Sequence, residues 1–504
     1  MRRGFALLPV LWLVACGGSG DSGSSGNETP PPPPATVAAV THDFGEYTLD
    51  PGQEVSSQCV AWTLGNEKSL YVSTVTLSNG GAYHHSNWFV VPEDRYPGPD
   101  GFFRCSERDF DEVASAVAGT VIFAQSTQSQ IEEQKLATGA VIKIPPRHKV
   151  VAGIHLLNPT ARTHTTALRM SLGLVHPKDV KVVLAPFRLS YLDLDIPPRS
   201  EAHFTSDCDL ASVYEQAAKK PFDLKLYWVL PHYHYLGNHF RVSVIGGPRD
   251  GEVIHGLDTF NAEANGKALD PPLDLTGARG LRFTCGYGNP RDESVGWGIG
   301  DQEMCVMLGF ADSAVLMDAS MVDGNQVVGV EEGIVKNTGP CTGIGLPKNA
   351  AQTMPSQEEI EAALYVPESD AGEIPPALTC VDASSTGLSE PPVTLTSIRE
   401  TVFDGGCTFQ ACHDAQAPAG NLDLTGDVHA ALVNQPVVTA ATDLPRVQPG
   451  DPEGSWLYQL LSKCEPRDDA GRVLAHMPRN SPTLLDPAVV AKIRAWIEGG
   501  ALPN

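Results

Sequence analysis

Glycine and proline punctuate this chain too densely for long helices. There are 48 glycines and 41 prolines among 504 residues, and both weaken a helix interior while favouring turns. Between them run short stretches in which apolar and polar side chains alternate, at 69–77, 150–157 and 167–175. A period of two puts one face of a strand into a core and the other into water. Ser78-Asn79-Gly80-Gly81 and Tyr96-Pro97-Gly98 supply turn chemistry between such runs. A second strand-rich block holds apolar runs at 224–230, 240–245 and 304–310. No long amphipathic helix interrupts either block. The sequence therefore predicts a mainly β fold, with jelly-roll-like β-sandwiches in series over 42–186 and 187–349.

Residues 350–395 read as a linker with one short helix at 357–364, punctuated by Pro375-Pro376 and Pro391-Pro392. Beyond 396 the character turns helical. Asp486 has the position of an N-cap, Pro487 that of the first helical residue, and Gly499-Gly500 closes the segment. Val490, Ile493 and Ile497 follow helical spacing, with Trp496 beside them. Residues 396–504 are expected to form a small α-helical module.

Sixty acidic against thirty-five basic side chains give a formal charge of -25. That excludes the basic face of a nucleic-acid binder and a polybasic patch for anionic lipid. No apolar run reaches the ~18–20 residues needed to span a bilayer. The first residues predict export instead. Arg2 and Arg3 precede an apolar stretch over 5–15, and Leu13-Val14-Ala15-Cys16 resembles a bacterial lipobox with Cys16 as the lipidated residue. An ordinary secretory signal with an incidental Cys is the alternative. Residues 1–16 would be the signal, and 17–41, rich in Gly, Ser and Pro, a tether. The expected location is the cell envelope, lipid-anchored, at an outer membrane facing the periplasm or the surface. Disulfides persist there, and setting Cys16 aside leaves ten cysteines of eleven.

His232-Tyr233-His234 follows the apolar run 224–230. Residues two apart on a strand share a face, so both imidazoles can reach one metal. His84-His85 can share an ion only at a bend or strand end, and Asn79-Gly80-Gly81 just before makes a bend reasonable. His155 sits inside an apolar strand, where a buried ring needs a partner such as a metal; His148 and His164 lie near enough to replace it.

Tyr83-His84-His85, His155, the segment Pro231-His232-Tyr233-His234-Tyr235-Leu236-Gly237 and the segment Gly300-Asp301-Gln302-Glu303-Met304-Cys305 occur in that order. Order and approximate spacing resemble the type II, ascorbate-dependent copper monooxygenases, the family of peptidylglycine α-hydroxylating and dopamine β-monooxygenases. The resemblance covers roughly residues 45–345. It implies two β-sandwich domains with one copper each. The first ion would take His84, His85 and His155 and pass electrons; the second would take His232, His234 and Met304 and carry the chemistry. A thioether favours Cu(I), and imidazole suits both copper states. The resemblance also implies a Cys285–Cys305 disulfide clamping the Met304 strand. Likewise Cys59 and Cys105 bracket His84-His85 as a pair, and Cys208 and Cys341 make a third. In the peptide-amidating enzyme an Arg two residues before the His-x-His grips the substrate carboxylate; Leu230 stands there, which argues against glycine-extended peptides as substrates.

Cys407-Thr408-Phe409-Gln410-Ala411-Cys412-His413 resembles a c-type haem attachment site, with four residues between the cysteines where two are usual. Residues 447–452, 455–458, His476-Met477-Pro478 and 493–497 look like parts of a cytochrome c-like domain. Cys407 and Cys412 would attach haem c, with His413 and Met477 as axial ligands; His429 or His476 are the replacements for Met477. A Cys407–Cys412 disulfide without haem is the alternative, and Cys380 pairs with Cys464 by remainder. Together these readings predict an exported copper monooxygenase. It would hydroxylate a C–H bond of a small organic substrate with dioxygen, using ascorbate, an equivalent reductant or the attached haem as electron source. A copper-binding or electron-transfer lipoprotein without turnover is the rival.

Overall fold

The computed structural model describes residues 38–503 apart from 52, 126–129, 159–162, 235, 259–265, 290, 299–301, 375–379, 384–392, 409–411, 416–417, 439, 475 and 479–483, and apart from the side chains of 84, 157 and 405. The expected signal, Cys16 and most of the tether lie outside the described residues, as do Tyr235, Gly300 and Asp301. Strand makes up 45% of the chain and helix 17%, so the fold is mainly β, with several sheets.

In the first half, Ala38–Leu49, His164–Leu174, Leu70–Asn79, Ala140–Ile144 and Val182–Val183 form one sheet in that order, with Ile131–Lys135 also paired to Leu70–Asn79. Gly101–Arg104, Glu54–Thr63, His148–Leu157, Tyr83–Pro92 and Thr120–Gln125 form the next. Side chains from both, including Val40, Trp62, Val72, Trp88 and Ile154, share one core. In the second half one sheet runs Lys267–Asp274, Lys225–His232, Val306–Asp312, Ala185–Tyr191, Val315–Met321, Thr342–Pro347. The other runs Val253–Leu257, Gly237–Ile245, Gly280–Asn289, Ser200–Cys208, Ile334–Pro340, Gln326–Glu331. Phe187, Phe204, Phe240, Phe283 and Met307 lie in the core of this half.

Strand Lys225–His232 positions the candidate site, and its unbroken apolar sequence has a physical cause. Strands covered on both faces lose the alternating pattern. Leu226 and Val229 enter the second core. Trp228 and Leu230, with Phe310 of the neighbouring strand, enter the first. A bulge between Leu226 and Trp228 reverses the alternation there. Each large apolar side chain buried in this seam contributes about 1.5–3 kcal/mol, so the end of the strand, His232, is fixed against the first half.

The cysteines pair as expected: Cys59–Cys105, Cys208–Cys341, Cys285–Cys305 and Cys380–Cys464. The expected helix at 357–364 is shorter, Gln357–Glu361, opened by a Ser356/Glu359 capping box. It stops where the chain is drawn onto the first half: the Tyr365 hydroxyl accepts the Glu67 N–H at 3.1 Å, and Asp370 accepts from His42 Nδ1 at 2.6 Å. Towards the C-terminal end, Val428–Leu432, Trp456–Ser462 and Pro487–Glu498 are helices. Asp486 accepts the Ala488 N–H as their last N-cap, and Val490, Ile493, Trp496 and Ile497 pack with Ile398, Phe403 and Leu461. No helix among the described residues is long and apolar enough to cross a membrane.

Candidate metal centre

Tyr83–Pro92 pairs antiparallel with His148–Leu157, and His85 stands directly across from His155. The pairing slips between Tyr83 and His85, which makes His84 the extra residue of a β-bulge. The bend anticipated from Asn79-Gly80-Gly81 thus falls at the histidine pair itself. The His84 side chain lies outside the described atoms. The other neighbour of His148–Leu157 also bulges, between Val55 and Gln58. The His155 end of this strand is therefore irregular on both sides, which re-aims the side chains around it.

His155 is 3% exposed. Its Nε2 lies 2.7 Å from Glu54 Oε1, and its Nδ1 lies 3.0 Å from His85 Nε2. With the Nε2–H donated to the carboxylate, Nδ1 carries the lone pair and accepts from His85 Nε2–H. A carboxylate behind a histidine in this way fixes the tautomer that a metal requires. Burial lowers the His155 pKa, with Glu54 acting against it.

The second pair meets the first. The His85 ring centre is 5.5 Å from that of His232 and 5.4 Å from that of His234, and the latter two are 5.4 Å apart. Burial, then the neighbouring His234, pulls the His232 pKa down to about 3. Burial likewise takes His234 down to about 4, against the opposing hydrogen bond to the Gln302 carbonyl. Both rings are neutral at physiological pH, the form that coordinates a metal.

His234 Nδ1–H donates to the Gln302 carbonyl at 2.7 Å, which leaves Nε2 as the lone-pair nitrogen. Glu303, 0% exposed, accepts the backbone N–H groups of Leu236 at 2.7 Å, His234 at 2.8 Å and Met304 at 3.3 Å. Burial pushes this carboxyl up to about 8 against those same bonds. The Met304 carbonyl accepts from Tyr287 at 2.6 Å, and the Cys285–Cys305 bridge closes behind it. Met304 therefore lies outside the strand expected at 304–310, which is Val306–Asp312. Met307, not Met304, belongs to the aliphatic core. Sequence reading quoted Gln302 and Glu303 without a role and missed Glu54; a lone acidic residue carries no sign that it will be buried or paired with a histidine.

The first and second ligand groups, read separately from the sequence, are thus one cluster of imidazoles, because the seam at Trp228 and Leu230 brings the strand ends together. Among the described residues no three His, Cys, Asp or Glu side chains yet surround a single point as an ion requires. The His85–His155 hydrogen bond occupies the two nitrogens that an ion would take. Leu230 is 2% exposed, inside the first core, so the position cannot present a cation to a substrate.

In the helical segment Cys407 carries a thiol outside any disulfide. Burial pushes the Cys407 thiol up to about 12. Cys407 and Met477 pack on the same helical core, while Cys412 packs against the core of the second half. His413 Nδ1 lies 3.1 Å from the Ala419 carbonyl and 3.2 Å from that of Leu422. His429 is bonded to the Ala501 carbonyl at 3.0 Å. Phe409, Gln410 and Ala411 lie outside the described residues.

No family model matches this chain, and no curated protein does. Among solved structures, the exported protein XepA of PBSX overlaps 55% of this chain and 87% of its own, at 10% identity and a TM-score of 0.15. Sulfolobus Turreted Icosahedral Virus overlaps 53% and 60%, at 6% and 0.16. The VP2 subviral particle of infectious bursal disease virus overlaps 55% and 71%, at 9% and 0.14. Overlaps this loose carry no argument about fold family or function.

Proposed function

We propose that the chain is an exported, lipid-anchored copper monooxygenase of two β-sandwich copper domains followed by a cytochrome c-like domain. The observation that carries this reading is the convergence of His85, His155, His232 and His234, with two of their tautomers set by Glu54 and by the Gln302 carbonyl. The residues that would hold copper are His84, His85 and His155 on one side and His232, His234 and Met304 on the other. The donor set fits: neutral imidazoles suit both copper states, and a thioether outside the aliphatic core favours Cu(I). Copper bound there supplies one-electron redox chemistry toward dioxygen.

The chain's own contribution is orientation. Glu303 ties the His234 and Leu236 backbone to Met304, Glu54 orients His155, and the Trp228–Leu230 seam holds both halves in register. In the overall reaction one oxygen atom enters a substrate C–H bond and the other leaves as water, with two electrons and two protons from a reductant. Buried Leu230 supports a small organic substrate without a carboxylate gripped at that point. In the helical segment, an Nδ1–H donated to the Ala419 and Leu422 carbonyls supports His413 as an axial ligand through Nε2. Cys407 and Met477 on one core support a shared cofactor pocket for haem c.

Metal analysis and oxygen uptake test the reading. Copper bound, with oxygen consumed in the presence of ascorbate and an added C–H substrate, is expected. Copper without oxygen uptake would leave the rival, an electron-transfer lipoprotein; no copper would remove both. A pyridine haemochrome spectrum tests the helical segment separately.

A further inference from the structure

The loop beside His413 turns four successive carbonyl groups in two directions. Those of Ala419 and Leu422 lie 3.1 and 3.2 Å from His413 Nδ1. Carbonyls only accept, so the ring carries its proton on Nδ1 and its lone pair on Nε2. The two carbonyls between them face away from the ring. Arg446 Nη2 donates to Gly420 at 3.0 Å and to Asn421 at 3.0 Å. Consecutive left-handed residues make this split, Gly420 at φ 63° and Asn421 at φ 53°, a conformation that glycine and asparagine reach at least cost. The loop also closes on the histidine through its backbone: the Ala419 N–H donates to the Cys412 carbonyl at 2.6 Å and the Leu424 N–H to that of His413 at 2.8 Å.

Arg446 is itself anchored outside the loop. Its Nη1 donates at 2.9 Å to the carbonyl of Ala431, within helix Val428–Leu432. Its backbone N–H donates to the Gln435 carbonyl at 2.7 Å, and its carbonyl accepts the Leu457 N–H of helix Trp456–Ser462 at 3.0 Å. One planar fork thus reaches three carbonyls on two segments, which the single nitrogen of a lysine cannot do with the same geometry. We propose that Arg446 is a positioning residue for His413: it braces the 419–422 loop from behind, fixes the Nδ1–H tautomer and so presents Nε2 as a ligand. The inference rests on the haem reading above for what that nitrogen would bind, and adds the residue that sets the ring.

The test uses the full chain with isotope-labelled histidine, prepared with and without a haem-attachment system. Nuclear magnetic resonance of the haem-free chain reads the His413 tautomer, with His413→Gln to assign the signal. The visible spectrum of the other preparation reads axial ligation, and circular dichroism reads folding. The unmodified chain should hold His413 as the Nδ1–H tautomer and give a low-spin spectrum. Arg446→Met should show mixed tautomers and lose low-spin intensity at unchanged haem content, with added imidazole restoring it. Arg446→Lys should fall between the two, and carries the comparison if Arg446→Met does not fold. Unchanged tautomer and unchanged low-spin spectrum in the folded variants would overturn the proposal while leaving the haem reading intact. No haem in the unmodified chain would remove that reading, and the tautomer comparison would then decide the role of Arg446: a proton fixed on Nδ1 that the variants loosen upholds it, and one they leave in place overturns it.

Discussion

The Glu303 carboxyl lies 2.8 Å from the backbone N–H of His234 and 3.3 Å from that of Met304, so one buried side chain joins two candidate ligands carried on separate segments. A third bond, to the Leu236 N–H at 2.7 Å, completes the clamp. Glu303→Ala would leave three buried donors without an acceptor, at about 1–3 kcal/mol each. Glu303→Gln keeps one acceptor oxygen and sets an amide N–H against a backbone N–H. The alanine variant should unfold at markedly lower urea concentration. The glutamine variant should fold and bind copper about 10–100-fold more weakly, as read by competition with a chromogenic chelator. Unchanged affinity in a folded Glu303→Gln protein would remove the clamp from the account.

Glu54 acts on the other side of the cluster. Its bond to His155 Nε2 holds the ring with Nδ1 toward His85. Glu54→Leu frees the ring to take the other tautomer. Copper affinity at the first ligand group should fall about 10–100-fold, while the 40% exposed position of the Glu54 side chain keeps the loss of stability small. Glu54→Asp, a shorter carboxylate, should recover part of the affinity. Titration of copper into both variants, with unfolding curves beside it, separates orientation from folding.

Much of the fold was legible because its signals are local. Alternation located the strands to within a few residues, turn residues separated them, and Asp486 with Pro487 marked the start of the last helix. The even number of cysteines and the His-x-His were legible as residue types, while the cysteine pairing came with the family resemblance and by remainder. What remained hidden depends on the packing of distant segments. The apolar run 224–230 gave no sign that it serves two cores, since a strand covered on both faces reads alike whatever covers it. The meeting of His85 with His232 follows from that seam and from no spacing in the sequence. Glu54 and Glu303 looked alike in the sequence, yet Glu303 is fully buried on three backbone N–H groups while Glu54 stays 40% exposed beside His155.

A pair of histidines away from this cluster gives a pH prediction. His203 and His239 flank Gly286 on adjacent strands and stack with ring centres 4.5 Å apart. A Cβ at Gly286 would come within 2.6 Å of the His203 ring, so only glycine admits the stack. His203 Nδ1 faces Lys336 Nζ at 3.3 Å and Nε2 faces Glu201 at 3.8 Å, while His239 pairs with Asp258 at 2.6 Å. Burial, then His239 and Lys336, lowers the His203 pKa from 6.5 to about 4. The unfolded chain therefore binds a proton between those values that the folded chain does not. Stability contributed by neutral His203 is full above pH 6.5 and is lost as pH falls toward about 4, by at most roughly 3 kcal/mol. Urea unfolding at pH 7.5 and pH 5 should show a smaller pH-dependent loss in His203→Gln than in the unmodified protein. Equal losses would mean His203 titrates alike folded and unfolded.

The Gly237 N–H donates to the His234 carbonyl at 3.2 Å, just beyond the strand that ends at His232, and the Tyr233 ring lies across Gly237. A Cβ there would meet Tyr233 Cδ2 at 2.0 Å and Cε2 at 2.7 Å. Neither side can yield: Tyr233 is 1% exposed and packs in the second core, stacked near Phe240 at 6.0 Å. Relief must come from the backbone between them, which holds His234 and the Leu236 N–H bonded to Glu303. Overpacking of this kind costs about 1–3 kcal/mol, and the displacement falls on the second ligand pair. Gly237→Ala should therefore lower the urea midpoint and weaken copper binding together. Gly237→Ala combined with Tyr233→Leu, which removes the ring from the collision, should regain part of both. Recovery of stability without recovery of copper affinity would show that the turn can bend without moving His232 and His234.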